Sequence, residues 1–384
     1  MKKILRPAWA EIDLDAIAYN TRNIKQLIGH KDLIAVVKAN CYGHGVIDII
    51  PTLLENGVSR FAVAMISEAL EIRENNITAP VMILGFTPLY LGEELINNDI
   101  EQTVYDLDYA RELSKIALSL NKKAKIHIAI DTGMGRIGCL PKDAGKEALF
   151  IEENEILKLE GMCTHFSVSD SQKKENIEYT EKQFEAFKLA IGNVKKSGIN
   201  PGVCSCANSA ALLCNPKMHL DMVRPGIITY GYYPDKDVKE FINSRNIDFE
   251  IKPVLAFETK VASIRHFNQG KSISYGREWI CDDDTDIAVL PVGYADGLLR
   301  RFSPGLYVTI NGENYPIRGR ICMDQCMVDI GKNNDKVKLW DKAIIFGPEE
   351  SGALNTADTL AEIGNTISYE VLTSLSKRVK REIL

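Results

Sequence analysis

Short apolar runs rich in β-branched residues alternate with helix-like segments along the first two-thirds of the chain, and few folds accommodate that rhythm. The runs are LIAVVKA (33–39), RFAVAMI (60–66), PVMILGF (80–86), EQTVY (101–105), KIHIAID (125–131), KLEGMCTHF (158–166), GVCSCA (202–207) and MVRPGIITYG (222–231). Between them lie segments with apolar residues at helical spacing. DLDYARELSKIALSLN (106–121) has Asp106 as its N-cap, and YTEKQFEAFKLAIGNVKKSG (179–198) has Gly198 as its C-cap. Eight strands alternating with helices over roughly 230 residues predict a (β/α)8 barrel. A doubly wound open sheet alternates similarly, but no G-x-G-x-x-G turn follows the first run to favour it.

Beyond about residue 235 the texture changes. PVLAFETKVASIRHF, DIAVLPVGYADG and LYVTINGENYPIRGRICMDQCMVDI read as strands, and Asn311-Gly312 between two such runs marks a hairpin. The expected fold is α/β, an N-terminal (β/α)8 TIM-type barrel over residues 1–240 followed by a mostly β C-terminal domain over 241–384. The N-terminal segment is a candidate to pack on the second domain, and polar PDKDVKEFINSRNIDFEI (234–251) is the expected junction. At 384 residues, two cores are the natural division.

A net charge of −6 offers no basic footprint for nucleic acid or an anionic membrane. Nor is any apolar stretch long enough to span a bilayer. The opening MKKILRPAWAEIDLD breaks at Arg6 and Pro7 before an apolar signal region develops, so the expected location is cytoplasmic. Nine scattered cysteines form no C-x-x-C pair; Cys204 with Cys206 and Cys322 with Cys326 look strand-spaced. They read as reduced thiols, and no metal site is expected.

Functional groups of such barrels gather at the C-terminal strand ends. There the chain places Lys38, Arg136, His165, Asn208, Ser209, Arg224 and Gly226. Each has a plain alternative: Lys38 as a lysine reaching to water, Arg136 as a surface ion pair, His165 as a core imidazole, Ser209 as a helix cap. Converging, they suit a phosphorylated, planar, carbonyl-bearing ligand, because an amine forms a Schiff base and helix-start N–H groups hold phosphate. Pyridoxal 5′-phosphate (PLP) fits that description.

AVVKANCYGHG, HIAIDTGMGRIG, CANSAA, MVRPGIITYG, ISYGREW, LPVGYADG, GRICMDQ and TISYEV, spread from residue 35 to 371, together resemble the alanine racemases. That resemblance implies a PLP enzyme with two bases, supplying D-alanine for peptidoglycan. Lys38 would hold the cofactor and then act as one base, and Tyr275 would be the other. Both free side chains titrate near pH 10, so each needs a partner or a shift to work near neutrality. Arg136 would contact the tyrosine and favour its phenolate. Arg224 would face the pyridine nitrogen and keep it unprotonated. His165 would stack near the ring. Tyr42, Asn208, Ser209, Gly226, Ile227 and Tyr369 would surround the phosphate; Tyr294, Met323 and Asp324, with Arg136, would line the substrate side. The resemblance further implies a homodimer with shared active sites, in which Tyr275, Tyr294, Met323 and Asp324 reach the partner's cofactor.

Two positions depart from the family pattern. Many members carry a lysine, often carbamylated, where this chain has Ala129, and often a histidine where it has Ser205. Serine, or a mixture of serine and alanine, stays open as the substrate. A PLP-binding barrel without catalysis and a barrel-type decarboxylase are weaker readings, disfavoured by Tyr275 and Arg224 respectively.

Overall fold

The computed structural model describes residues 6–333 and 335–384. The chain enters through strand β1 (Ala8–Ile12), and eight further strands follow: β2 (Asp32–Val36), β3 (Arg60–Val63), β4 (Val81–Ile83), β5 (Glu101–Val104), β6 (Ala124–Ala129), β7 (Leu157–Cys163), β8 (Val203–Ser205) and β9 (Met222–Val223). Strands β2 to β9 run parallel in chain order, and β9 closes on β2, so this is a barrel and not an open sheet. Continuous apolar runs suit strands covered on both faces, and Phe61, Met82, Ile126 and Met162 are fully buried here.

Local signals place the helices. Asp106 accepts from the Tyr109 N–H at 2.7 Å and opens the helix Leu107–Leu120. The helix Lys174–Lys196 begins earlier than its apolar periodicity predicts and stops just before Gly198, whose φ is +79°. The last barrel strand is shorter than the run MVRPGIITYG, because Pro225 has no N–H to donate to a ladder; Ile227–Tyr230 forms a 3₁₀ turn instead. Residues Lys236–Ser244, within the expected junction, form a helix capped by Asp235.

Two compact units emerge, one of Ala18–Cys41 with Ile49–Ile251, the other of residues up to Ile17 with Tyr42–Asp48 and Lys252–Leu384. The second contains β10 (Leu255–Lys260), β11 (Ser263–Phe267), β12 (Ser272–Ile273), β13 (Trp279–Ile280), β14 (Thr285–Leu290), β15 (Tyr307–Ile310), β16 (Glu313–Pro316), β17 (Cys326–Asp329), β18 (Lys342–Phe346) and β19 (Lys380–Ile383). Its large sheet has the order β16-β15-β18-β10-β1-β19, beside a sheet β11-β14-β17 and the hairpin β12-β13. Strand β1 therefore belongs to this unit, antiparallel to β10 and parallel to β19. Asn311 and Gly312, at φ 52° and 79°, make the turn between β15 and β16. Among the described residues no helix is long and apolar enough to cross a membrane.

Candidate active site

Lys38 does not extend β2 but opens a turn of unusual hand. Ala39, Asn40 and Cys41 have φ of 50°, 55° and 53° with ψ of 47°, 52° and 51°, and Tyr42 follows with φ 53°. Left-handed helical backbone costs a non-glycine residue roughly 1–2 kcal/mol, so the surroundings must hold it. They do so from several sides. The Val36 carbonyl accepts from Tyr230 Oη at 2.9 Å, the Cys41 N–H donates to the Val37 carbonyl at 2.9 Å, and the Ala39 N–H donates to Glu68 Oε1 at 2.6 Å. Lys38 itself is half-buried. Burial pulls its amine below the ordinary lysine range, the Arg136 charge adds to this, and Glu68 opposes both.

Arg224 is buried at the end of β9 and has only neutral acceptors. Its Nη1 donates to the Ser205 carbonyl at 2.7 Å and to Ser205 Oγ at 2.6 Å, and its Nη2 donates to the Thr164 carbonyl at 2.5 Å. The hydroxyl of Ser205 thus helps to hold the arginine, at the position where the family resemblance implied a histidine. His165 lies two residues beyond β7, and its imidazole is pushed down to about 3 by burial, then by Arg224, Arg136 and Lys38. It is neutral at physiological pH. Three cationic side chains bear on this one ring.

Arg136 rides on a closed loop. The Cys139 N–H donates to the Ala129 carbonyl at 3.0 Å, the Asp131 N–H returns to the Cys139 carbonyl at 2.9 Å, and Asp131 Oδ1 accepts from the N–H groups of Gly133 and Gly135. A side chain at Gly138 would put a Cβ 2.5 Å from the Asp131 nitrogen, so only glycine lets the loop close. Arg136 is exposed. Asn208 caps the helix Ser209–Cys214 by accepting from the Ala211 N–H, which leaves Ser209 Oγ to accept from the Gly226 N–H at 2.9 Å. Ile227 follows at the start of its 3₁₀ turn. The cations, the neutral imidazole and this hydroxyl–amide pair suit a phosphorylated anion.

In the second unit, the rings of Tyr42 and Tyr369 lie with centroids 6.0 Å apart. A separate group of loops carries the other candidates. Ser274 Oγ, next to Tyr275, donates to the Arg320 carbonyl at 2.6 Å; the Tyr294 N–H donates to the Cys322 carbonyl at 3.1 Å, and the Ala295 N–H to the Met323 carbonyl at 3.0 Å. Gly293 permits that approach, since a Cβ there would lie 2.2 Å from the Cys322 carbonyl oxygen. Buried Asp296 ties the group together by accepting from Arg6 and from the Gly293 N–H at 3.0 Å, while Arg378 Nη2 donates to Asp324 Oδ1 at 2.6 Å. Tyr275, Tyr294 and Met323 are exposed, at 68%, 39% and 52%.

Glu68, Tyr230 and Asp296 brace these groups without having stood out in the sequence. Tyr230 and Asp296 fall inside recognisable motifs, whereas Glu68 carried no signal beyond its place near a helix start. Residues 12–234 match the family described as "Alanine racemase, N-terminal domain", and residues 254–383 match "Alanine racemase, C-terminal domain". The chain is 49% identical over 378 residues to an alanine racemase of Clostridium perfringens, covering 98% of this chain and 95% of the relative. Among solved structures, an alanine racemase of Clostridium difficile is 40% identical with a TM-score of 0.92, covering 100% of this chain and 97% of the other. One from Bacillus anthracis, solved with bound L-Ala-P, is 35% identical with a TM-score of 0.92, at 100% and 96% coverage. With both domains matched and full-length relatives at this identity, the chain belongs to the alanine racemase family.

Proposed function

We propose that this protein is a PLP-dependent alanine racemase that interconverts L- and D-alanine with Lys38 and Tyr275 as its two bases. The observation that carries the reading is the set around His165: a half-buried lysine with a depressed pKa, a neutral imidazole, and a buried Arg224 whose acceptors are all uncharged. Bound through Lys38, PLP would supply an electron sink that acidifies the α C–H of an amino acid. Arg224 would face the ring nitrogen; a guanidinium that keeps its protons leaves that nitrogen unprotonated and the sink weak, which limits side reactions. His165 flanks the ring. Ser209, Gly226 and Ile227, with Asn208 shaping the turn, and Tyr42 and Tyr369 would hold the phosphate.

The Lys38 amine exchanges the α-proton of the D-enantiomer, and the Tyr275 oxygen exchanges that of the L-enantiomer on the opposite face. Inversion requires both. Arg136 stabilises the Tyr275 phenolate, and Arg136, Tyr294, Met323 and Asp324 receive the substrate, the Met323 N–H meeting its carboxylate. The exposure of Tyr275 and Met323 supports a homodimer in which they serve the partner's site. Nine free thiols support a reducing, cytoplasmic setting, and D-alanine for peptidoglycan is the expected product use.

Borohydride should fix the cofactor to the Lys38 peptide of the yellow protein, and a Lys38→Ala protein that still forms a reducible imine would refute the assignment. Mixing inactive Lys38→Ala and Tyr275→Phe proteins should restore activity once subunits exchange. No recovery despite demonstrated exchange would place both residues in one subunit's site.

A further inference from the structure

Glu68 takes no part in the proposed chemistry, yet it touches the turn that carries Lys38. It sits in the first turn of the helix Ile66–Glu74, and its Oε2 accepts from the N–H groups of Ala64 at 2.7 Å and Met65 at 3.3 Å. That much is an ordinary way to satisfy the open donors of a helix start. The other oxygen does something else: Oε1 accepts from the Ala39 N–H at 2.6 Å, across a separation of 29 residues. Ala39 follows Lys38 directly and is the first of the left-handed residues.

We propose that Glu68 is a positioning residue for Lys38, its carboxylate bridging the end of β3 to the left-handed turn and so setting both the direction and the charge surroundings of the amine. The inference rests on the reading of Lys38 as the cofactor-bearing base. A charged acceptor bonds an N–H about twice as strongly as a neutral one, and left-handed non-glycine backbone persists only where its surroundings over-determine it. The charge acts as well. Among the described residues, Arg136, Glu68 and His165 are the ionisable groups that bear on the Lys38 amine; Arg136 disfavours its protonated form, His165 is neutral, and Glu68 favours it. Glu68 therefore limits how far burial and Arg136 drive the amine down.

Two variants separate the halves of this role. Glu68→Gln keeps the size but presents an NH2 where N–H groups need an acceptor, and it removes the charge. Glu68→Asp keeps the charge but is one methylene short of spanning Ala39 and Ala64. In the full-length protein freed of cofactor, the pH midpoint for acetylation of Lys38 by acetic anhydride, read by peptide mass spectrometry, should fall by about half a unit or more in Glu68→Gln and move less in Glu68→Asp. In the holoenzyme both variants should lower kcat about tenfold, below the ~100-fold cost of an ångström's misplacement. The primary isotope effect should then rise with α-deuterated D-alanine and fall with α-deuterated L-alanine, because only the lysine's step slows. A general loss of structure would move the two isotope effects alike. An unmoved midpoint in Glu68→Gln, or equal changes in both isotope effects, overturns the proposal. If borohydride fails to fix cofactor at Lys38 in the unaltered protein, the underlying reading falls instead. Should Glu68→Gln fail to fold, Glu68→Asp carries the isotope-effect test by itself.

Discussion

Ser205→Ala isolates what a single hydroxyl does for the buried arginine. Arg224 is 5% exposed and Ser205 3%, so water cannot replace a lost bond without entering the core. The substitution removes the acceptor at 2.6 Å from Nη1 and leaves the Ser205 and Thr164 carbonyls in place. A hydrogen bond from a charged donor contributes about 1.5–3 kcal/mol, and a stranded donor costs a similar amount. A loss of about 2 kcal/mol is therefore expected, which lowers the melting midpoint by roughly 5 °C. If the loosened guanidinium is felt fully at the ring nitrogen, kcat falls by up to about thirtyfold. Scanning calorimetry and steady-state racemisation read the two effects, and Ser205→Thr, which keeps the hydroxyl, is the control. A Ser205→Ala protein equal to the parent in both midpoint and kcat would refute the reasoning. So would a threonine variant as damaged as the alanine one.

Glu101, 3% exposed, is bonded to His127 Nε2 at 2.7 Å and to Arg60. Burial pushes its carboxyl up, but the His127 bond and the charges of His127 and Arg60 prevail and hold it below the ordinary 4.5. Its stabilisation is thus present above pH 4.5 and lost as the pH falls through the lower folded value. Glu101→Gln should cost about 3 kcal/mol at neutral pH, and the gap in melting midpoint should close below pH 4.5; a gap that widens on acidification contradicts this. Tyr275→Phe should abolish solvent deuterium exchange from L-alanine while exchange from D-alanine partly survives, and equal losses would count against two separate bases. Tyr369 is proposed to crowd the substrate side chain while binding the phosphate, so Tyr369→Asn should remove the crowding and raise serine turnover relative to alanine, against the ~100-fold discrimination of a pocket that only tolerates an added hydroxyl. An unchanged ratio would place specificity elsewhere.

The barrel was legible because parallel strands buried on both faces read as continuous apolar runs, and each of β2 to β9 overlaps one of the eight runs named, with β2, β6 and β7 starting one residue ahead of theirs. Strand β1 was not. AWAEI pairs with residues 255–259 and 380–383, and such distant partners leave no local trace. The lysine at the end of IAVVK stood out as a polar residue closing an apolar run, but the left-handed turn after it did not: Ala, Asn, Cys and Tyr contain no glycine to announce a positive φ. The turn is imposed by tertiary bonds from Glu68 and Tyr230. Cys322, expected on a strand, lies in the bend before β17, where its N–H donates to the Gln325 carbonyl. Ser205 was visible as a departure from the family pattern, and only the fold showed that its hydroxyl accepts a hydrogen bond from Arg224.

Inversion at the α-carbon of alanine is read most plainly by chiral chromatography of the purified, PLP-loaded protein incubated with L-alanine. D-alanine should accumulate until the two enantiomers are equal, with the same end point reached from D-alanine and much slower turnover of L-serine. No D-alanine from a protein that carries cofactor on Lys38, or D-serine formed faster than D-alanine, would contradict the alanine assignment.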